Sequence, residues 1–280
     1  MRASNIKGMW ICSVYLICLS FALIPGSADA LPSAQSRVEI DWGSLQIIPI
    51  GDFNFEYREN TDGMYDMSGS SSKAKVELDP DGPDNKRKYE YKIEGPANTG
   101  TQADVDKTIA GANTSTRNKL SGSVRATGTS KNKAESEAKR WMYFDVTTAG
   151  TLELSVNFFL NQSIDVQAAD EWAKAKSEVK LELGKQWVEI DANGKEKKKK
   201  DYIRDHVKIE LKDLSGIVPD TWGTLTVSYL YEVGDVGFMK MIAKSKAEAY
   251  KAPPVPEPAT MLLLGAGLIG LAGFRKKFKK

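Results

Sequence analysis

The 280-residue chain is 41% hydrophobic and 27% charged, with 39 Lys and Arg against 37 Asp and Glu. Residues 1–30 hold two basic residues and one acid, and residues 251–280 hold six and one; this leaves 31 basic and 35 acidic residues in 31–250, a net charge of −4. A weakly acidic body excludes a nucleic-acid partner, which needs an excess of Lys and Arg to displace counterions, and the composition excludes collagen, bulk disorder and a polytopic membrane protein.

Residues 1–30 read as a secretory signal peptide. Arg2 and Lys7 give a positive start, Met9 to Ile24 is uncharged and mostly apolar, and Pro25-Gly26 breaks the run. Ala28-Asp29-Ala30 supplies the small-x-small pattern expected at a cleavage site, with Ala28 and Ala30 as the small residues. Cys12 and Cys18 fall inside this segment, and Ile17 before Cys18 does not suit a lipoprotein signal. The mature chain is then free of cysteine: no disulfide, no thiolate nucleophile and no Cys-based zinc site. Its stability must come from a core, which about 220 residues are long enough to build.

The exported body is expected over 31–252. Val38 to Ile48 reads as an opening strand pair or one bent strand. Short strands follow at Asp52–Tyr57, Lys75–Leu78 and Lys88–Ile93, with loops at Asp79–Lys86 and Asn98–Lys107. Lys133–Lys139 and Ile242–Tyr250 alternate small and charged residues, which suits strands in a narrow part of a sandwich better than short helices. Leu152, Leu154, Val156, Phe158 and Leu160 alternate with mostly polar residues. In Ala173–Leu183 every second residue is small or apolar and the residues between are Lys or Glu; a strand puts those charges on one wet face, whereas a helix would scatter them. Lys and Ala are weak strand formers, so here pattern outweighs propensity. Asn193-Gly194, between Trp187–Ile190 and Tyr202–Leu211, is a hairpin signal of the type I′ kind. Leu225 to Val233 alternates again. Many short amphipathic strands and no long helix predict an all-β sandwich.

Few residues in the body point to chemistry. His206 is the single histidine, and its neighbours Val207, Ile209 and Leu211 place it on the exposed face with Lys208 and Glu210, so a triad or His-based metal site is not expected. Asp79–Asn85 is rich in oxygen ligands but misses the calcium-loop spacing, lacking a Gly at the sixth place and a closing Glu. Lys195–Lys200 reads as a solvated hairpin tip, with a polyanion site as the sharper alternative. Trp172, Trp187 and Trp222 would be sugar-stacking platforms if exposed, and core aromatics otherwise. Asn113-Thr114-Ser115 and Asn161-Gln162-Ser163 match the glycan-acceptor triplet only weakly. No cofactor, no metal and no catalytic residue are expected.

The last 28 residues, 253–280, are the most specific part of the chain. Pro253, Pro254, Pro256 and Pro258 impose an extended stretch. Ala259–Phe274 is an uncharged apolar run of 16 residues, about 24 Å as a helix against a hydrocarbon core of about 30 Å. Arg275, Lys276, Lys277, Lys279 and Lys280 follow, and such a basic tail stays on the cytoplasmic side. Gly265-Ala266-Gly267-Leu268-Ile269-Gly270 spells a dinucleotide fingerprint but has no room for the βαβ unit it requires, so these glycines belong to a membrane helix.

Val255-Pro256-Glu257-Pro258, followed at once by a Leu/Gly/Ala-rich span and a basic cluster, resembles the PEP-CTERM sorting signal over Val255–Lys280. The resemblance implies a Gram-negative bacterial protein that export machinery and signal peptidase deliver to the inner membrane. There an exosortase processes it near Pro256-Glu257-Pro258, and it passes to the cell surface or extracellular matrix, in the company of exopolysaccharide. The body also resembles the jelly-roll-like bodies of other PEP-CTERM proteins, with an early Asp41-Trp42 and a middle Trp141–Val146 phrase before late alternating strands. The expected function is a non-enzymatic structural or adhesive component. A carbohydrate-binding module is the alternative, and a polysaccharide-modifying hydrolase a more remote one.

Overall fold

The computed structural model describes residues 31–58, 69–78, 86–94, 100–105, 108–114, 119–127, 131–168, 171–212 and 216–251. The expected signal peptide, the Asp79–Asn85 loop and the sorting signal lie outside the described residues. Among the described residues all regular structure is strand. The strands are β1 (Ser33–Ile50), β2 (Asn54–Tyr57), β3 (Gly69–Leu78), β4 (Lys86–Glu94), β5 (Gly100–Val105), β6 (Thr108–Asn113) and β7 (Lys119–Thr127), followed by β8 (Asn132–Thr148), β9 (Gly150–Asp165), β10 (Glu171–Ile190), β11 (Glu196–Lys212), β12 (Gly216–Tyr231) and β13 (Val236–Lys251).

They form two antiparallel sheets. The first has the order β12-β9-β1-β7-β6-β5; the second has β11-β10-β13-β8-β3-β4, with β2 also on β8. Hairpins join β3 to β4, β5 to β6, β6 to β7 and β10 to β11. The chain crosses between sheets at β1–β2, β4–β5, β7–β8, β8–β9, β9–β10, β11–β12 and β12–β13, so the two layers are interleaved in sequence. The alternation in Leu152–Leu160 and Ala173–Leu183 becomes the two facing inner surfaces, with Leu152, Leu154, Leu160, Leu181 and Leu183 fully buried.

The core changes character along the strands. At one pole it is built from large side chains: Ile40, Leu120, Phe144, Leu152, Leu154, Leu181, Leu183, Tyr231, Met239 and Met241. At the other it is mostly alanine, with Ala34, Ala74, Ala103, Ala110, Ala126, Ala134, Ala173, Ala175, Ala247 and Ala249. Small side chains let the sheets approach closely there, and a row of serines marks the transition. Ser177, Ser245 and Ser136 are paired neighbours across β10, β13 and β8, and all are buried. Ser36 Oγ donates to the Lys176 carbonyl (2.7 Å) and lies 2.8 Å from Ser177 Oγ; Ser245 Oγ donates to the Gly122 carbonyl (2.9 Å). These bonds run directly from sheet to sheet. At Gly122 a Cβ would come within 2.8 Å of Ser136 Oγ, so glycine is what lets the layers touch.

The strands expected at Lys133–Lys139 and Ile242–Tyr250 are present, and Ala134, Ala247 and Ala249 line this narrow pole while Ala138 and Ala243 join the larger cluster. The loop expected at Asn98–Lys107 is not: it holds β5, with Ala103 fully buried. Where the sheets are this close an alanine fills the core position, so the strand carries no large apolar signal. The opening segment is one strand with a large irregularity, since Asp41 pairs with Asn157 but Gln46 pairs with Ser155. The hairpin at Asn193-Gly194 is also present, but its turn is wider than type I′. Gly194 N–H donates to the Asp191 carbonyl (2.9 Å), Asp191 Oδ1 accepts from the N–H of Asn193 and Lys195, and Gly194 has φ +75°. Of the expected Lys-rich tip, only Lys195 lies in the turn; Glu196–Lys200 belongs to β11.

The outer face of the second sheet is a lattice of ion pairs. Glu77 faces Lys75, Arg87 and Lys133; Glu137 faces Lys139 and Lys244; Glu182 faces Arg204 and Lys240. For Glu77, burial works to raise the carboxyl, and the hydrogen bond from Lys75 with the charges of Lys75, Lys133 and Arg87 outweighs it and holds the group below the usual 4.5. Glu210, hydrogen-bonded by Lys174, is likewise lowered, as is Glu171. A carboxyl lowered on folding leaves the unfolded chain with more bound protons at low pH, so stability rises with pH. The stabilisation is full above the unfolded value of 4.5 and is lost as pH falls through the folded values. Urea midpoints are therefore expected to be flat from about pH 6 to 8 and to fall steadily below about pH 4.5; a midpoint constant down to pH 3 would contradict the lattice.

Candidate functional site

Three tryptophans were the expected binding aromatics, and the fold separates them. Trp172 is half-buried on the outer face of the second sheet, 6.3 Å from Tyr250. Trp187 is 45% exposed and paired with Lys199 on the part of the β10–β11 hairpin that overhangs β13, whose pairing with β10 ends at Gln186. Trp222 is 70% exposed on β12, on the outer face of the first sheet. They form no shared platform.

Around Trp222, however, side chains from four strands converge. Trp222 pairs with Phe159 on β9, and Phe159 with Glu39 on β1. The next outward row is Thr224, Asn157, Asp41 and Lys119, from β12, β9, β1 and β7. Together they line a shallow pocket of about 390 Å³. Phe159 lies 4.6 Å from the indole at 47°, and the Arg37 guanidinium sits over the Phe159 ring at 5.7 Å. Thr224 Oγ1 donates to Asn157 Oδ1 (2.8 Å). Glu39 is buried, with Lys119 donating to Oε2 (3.0 Å) and Arg37 to Oε1. Burial acts to raise the Glu39 carboxyl, and the bonds from Lys119 and Arg37 outweigh it, so it stays ionised below its ordinary range.

Two departures from regular pairing flank this pocket. In β1, Trp42–Leu45 loops out of register; Ser44 Oγ donates to the Asp41 carbonyl (2.7 Å) and accepts the Asn157 N–H (2.9 Å). In β12 the register slips by one residue between Val218 and Thr221, around Pro219-Asp220, and Asn161 Nδ2 donates to Asp220 Oδ1 (2.7 Å). Bulges of this kind re-aim side chains beside binding sites, and a proline in a sheet belongs at one. Sequence reading missed the convergence because residues 39–41, 119, 157–159 and 222–224 meet only through the register of four strands.

The other expected candidates separate plainly. His206 is exposed on β11 beside Lys208 and Glu210, as expected. Val207, Ile209 and Leu211, expected to be buried, are only half-buried, because β11 is an edge strand. The lysine run is engaged within the chain: Lys197 pairs with Asp191 (3.3 Å), Lys199 with Glu189 (3.1 Å), and Lys200 lies 5.0 Å over Phe238. Asn161 of the second acceptor triplet is held by Asp220, and Gln162 is buried with its amide donating to the Ile209 carbonyl (2.8 Å).

The second functional feature is where the chain enters and leaves the sandwich. Ala34, one residue into β1, and Ala249, two residues from the end of β13, share the alanine core, so both ends of the body emerge at one pole. The hairpin turn 191–195 lies at the other pole. β13 is an inner strand, paired along its length with β10 and β8. Its last residue, Lys251, is clasped by Glu171: Nζ lies 3.1 Å from Oε1, while Oε2 accepts the N–H of Gln167 (2.8 Å) and Ala168 (3.2 Å). The Glu171 side chain is 1% exposed. No helix among the described residues is long and apolar enough to cross a membrane, and Ala259–Phe274 lies beyond them.

No curated protein matches the chain. A family model for the PEP-CTERM protein-sorting motif matches residues 254–277. The match begins three residues after Lys251, so the clasped inner strand of the sandwich runs almost directly into a C-terminal PEP-CTERM sorting motif, the mark of an exosortase-sorted exported protein.

Proposed function

We propose that this chain is a non-enzymatic component of the cell surface or extracellular matrix, associated with exopolysaccharide. On this reading it is exported with the signal peptide of residues 1–30 and held briefly in the inner membrane by Ala259–Phe274. It is then processed by exosortase near Pro256-Glu257-Pro258 and left outside as a jelly-roll-like sandwich with a structural or adhesive role. The observation that carries the reading is the sorting motif placed immediately after the last, doubly paired strand. Residues 252–258 are seven residues, which reach at most about 25 Å when extended. A body tethered by that length sits with its alanine pole toward the bilayer and its β10–β11 hairpin pointing away.

Replacing Pro256, Glu257 and Pro258 by alanine is expected to leave full-length protein in the membrane fraction, as read by immunoblotting of fractionated cells. Normal release of the variant would overturn the sorting role. A second reading, a carbohydrate-binding module, is favoured by one observation, the exposed Trp222 beside a row of polar side chains.

A further inference from the structure

Resting on that second reading, we propose that the outer face of the first sheet at Trp222 is a saccharide-binding subsite for a neutral pyranose with equatorial hydroxyls. An indole that is 70% exposed on an edge strand is an aggregation liability unless something covers it. This indole is also oriented, since Phe159 backs it at 4.6 Å. A sugar whose hydroxyls are all equatorial offers a flat C–H face to such a ring and projects its hydroxyls outward from the edges. The row beside Trp222 presents a hydroxyl, an amide and a carboxylate in sequence, on Thr224, Asn157 and Asp41. Thr224 Oγ1 donates to the amide oxygen of Asn157 at 2.8 Å, which leaves the amide hydrogens as that residue's donors, while Asp41, whose Oδ1 also accepts the Gly43 N–H (3.1 Å), is the acceptor. That alternation of donor and acceptor matches a vicinal diol.

Charge decides against an anionic sugar. Glu39 and Asp41 are balanced by Arg37 and Lys119, and both of those cations are already engaged by Glu39. A uronate carboxylate would thus meet Asp41 with no cation to spare. The pocket's volume, about 390 Å³, lies in the range of small-ligand sites. Leu230, also exposed on β12, shares its row with Thr151 and Ile50, and the row of Ile217 holds Ser163, Gln35 and Arg125 but no aromatic ring, so a ring and a polar row come together at Trp222.

The test is calorimetric titration of the full chain, in phosphocholine micelles free of sugar headgroups, with cellohexaose, xylohexaose and chitohexaose as probes. At least one probe is expected to bind. Trp222→Ala is expected to weaken that binding about tenfold or more, with unchanged circular dichroism because the ring is exposed, and Asn157→Ala to weaken it less. Trp187→Ala is expected to leave affinity unchanged. Binding that survives Trp222→Ala but is lost in Trp187→Ala would overturn this site while leaving the carbohydrate-module reading standing. Failure of all three probes to bind would overturn both. Self-association abolished by Trp222→Ala, without sugar binding, would instead assign the face to a second copy of the chain.

Discussion

Phe144→Ala is expected to cost about 3–5 kcal/mol of folding stability. Phe144 is fully buried at the wide pole of the core. Its ring lies 4.9 Å from Phe55 and 5.5 Å from Tyr231, so it joins β2, β8 and β12 across the two sheets. Below it, Gly237 on β13 leaves the backbone bare: a Cβ there would fall 2.1 Å from the Phe144 ring. The cavity left by truncation has little means of closing. Its walls include a backbone segment without a side chain, the Phe55 ring, and Tyr231, which is pinned by its hydroxyl donating to the Gly184 carbonyl (3.0 Å). Collapse would sacrifice that buried hydrogen bond. A domain typically holds only about 5–15 kcal/mol in all, so the variant should be close to unfolding at 37 °C. The measurement is urea denaturation, where the midpoint should drop with little change in slope. A loss below about 1 kcal/mol would show that the aromatic cluster repacks and that Gly237 is not the constraint described. Phe144→Leu should cost markedly less, since it keeps most of the apolar volume.

This cluster shows why parts of the fold were legible in the sequence and others were not. Alternation reveals which residues of a strand share a face, because the side-chain period of two is set by the strand itself. Thus alternation alone puts Leu152–Leu160 in β9 and Ala173–Leu183 in β10 on the sides they occupy, whereas Phe144 and Val146 in β8 carry no such reading. Period says nothing about how far away the opposing sheet lies. Ala134 of β8, Ala173 and Ala175 of β10 and Ala247 and Ala249 of β13 fill the narrow pole, while β5, with the same small residues and less alternation, reads as a loop. Register was equally hidden. Glu39, Asn157 and Trp222 are neighbours only because β9 pairs with both β1 and β12, and both pairings contain irregularities beside the site. The sorting end was legible for the opposite reason: its information is local, carried by motif, apolar run and basic tail in consecutive residues.

The second large effect is expected at the junction between body and sorting motif. Glu171→Ala removes a carboxylate that answers three donors, the Lys251 ammonium and the N–H groups of Gln167 and Ala168. The Lys251 side chain is only 18% exposed, so it cannot simply turn to water without lifting the end of β13. Removing one partner of a buried pair typically costs about 3–5 kcal/mol, because the other charge is left uncompensated. Part of that cost can be relieved here by fraying, since Lys251 is the terminal residue of its strand. Global stability should therefore fall by the smaller amount, about 2–3 kcal/mol. The larger signature should be local: faster amide exchange over Lys246–Lys251, with β9 and the wide pole unchanged. Glu171→Gln separates charge from hydrogen bonding, because its amide oxygen still accepts the two backbone N–H groups and only the ion pair is lost. An intermediate exchange rate for Gln, between wild type and Ala, is the expected order. Equal protection in all three proteins would mean that pairing with β10 and β8 alone holds the strand end. Lengthening the tether in this way also tests the coupling of fold to sorting: if the motif must be presented close to the folded pole, Glu171→Ala should slow processing near Pro256-Glu257-Pro258, whereas a motif recognised on its own should be cut at the wild-type rate from the frayed chain.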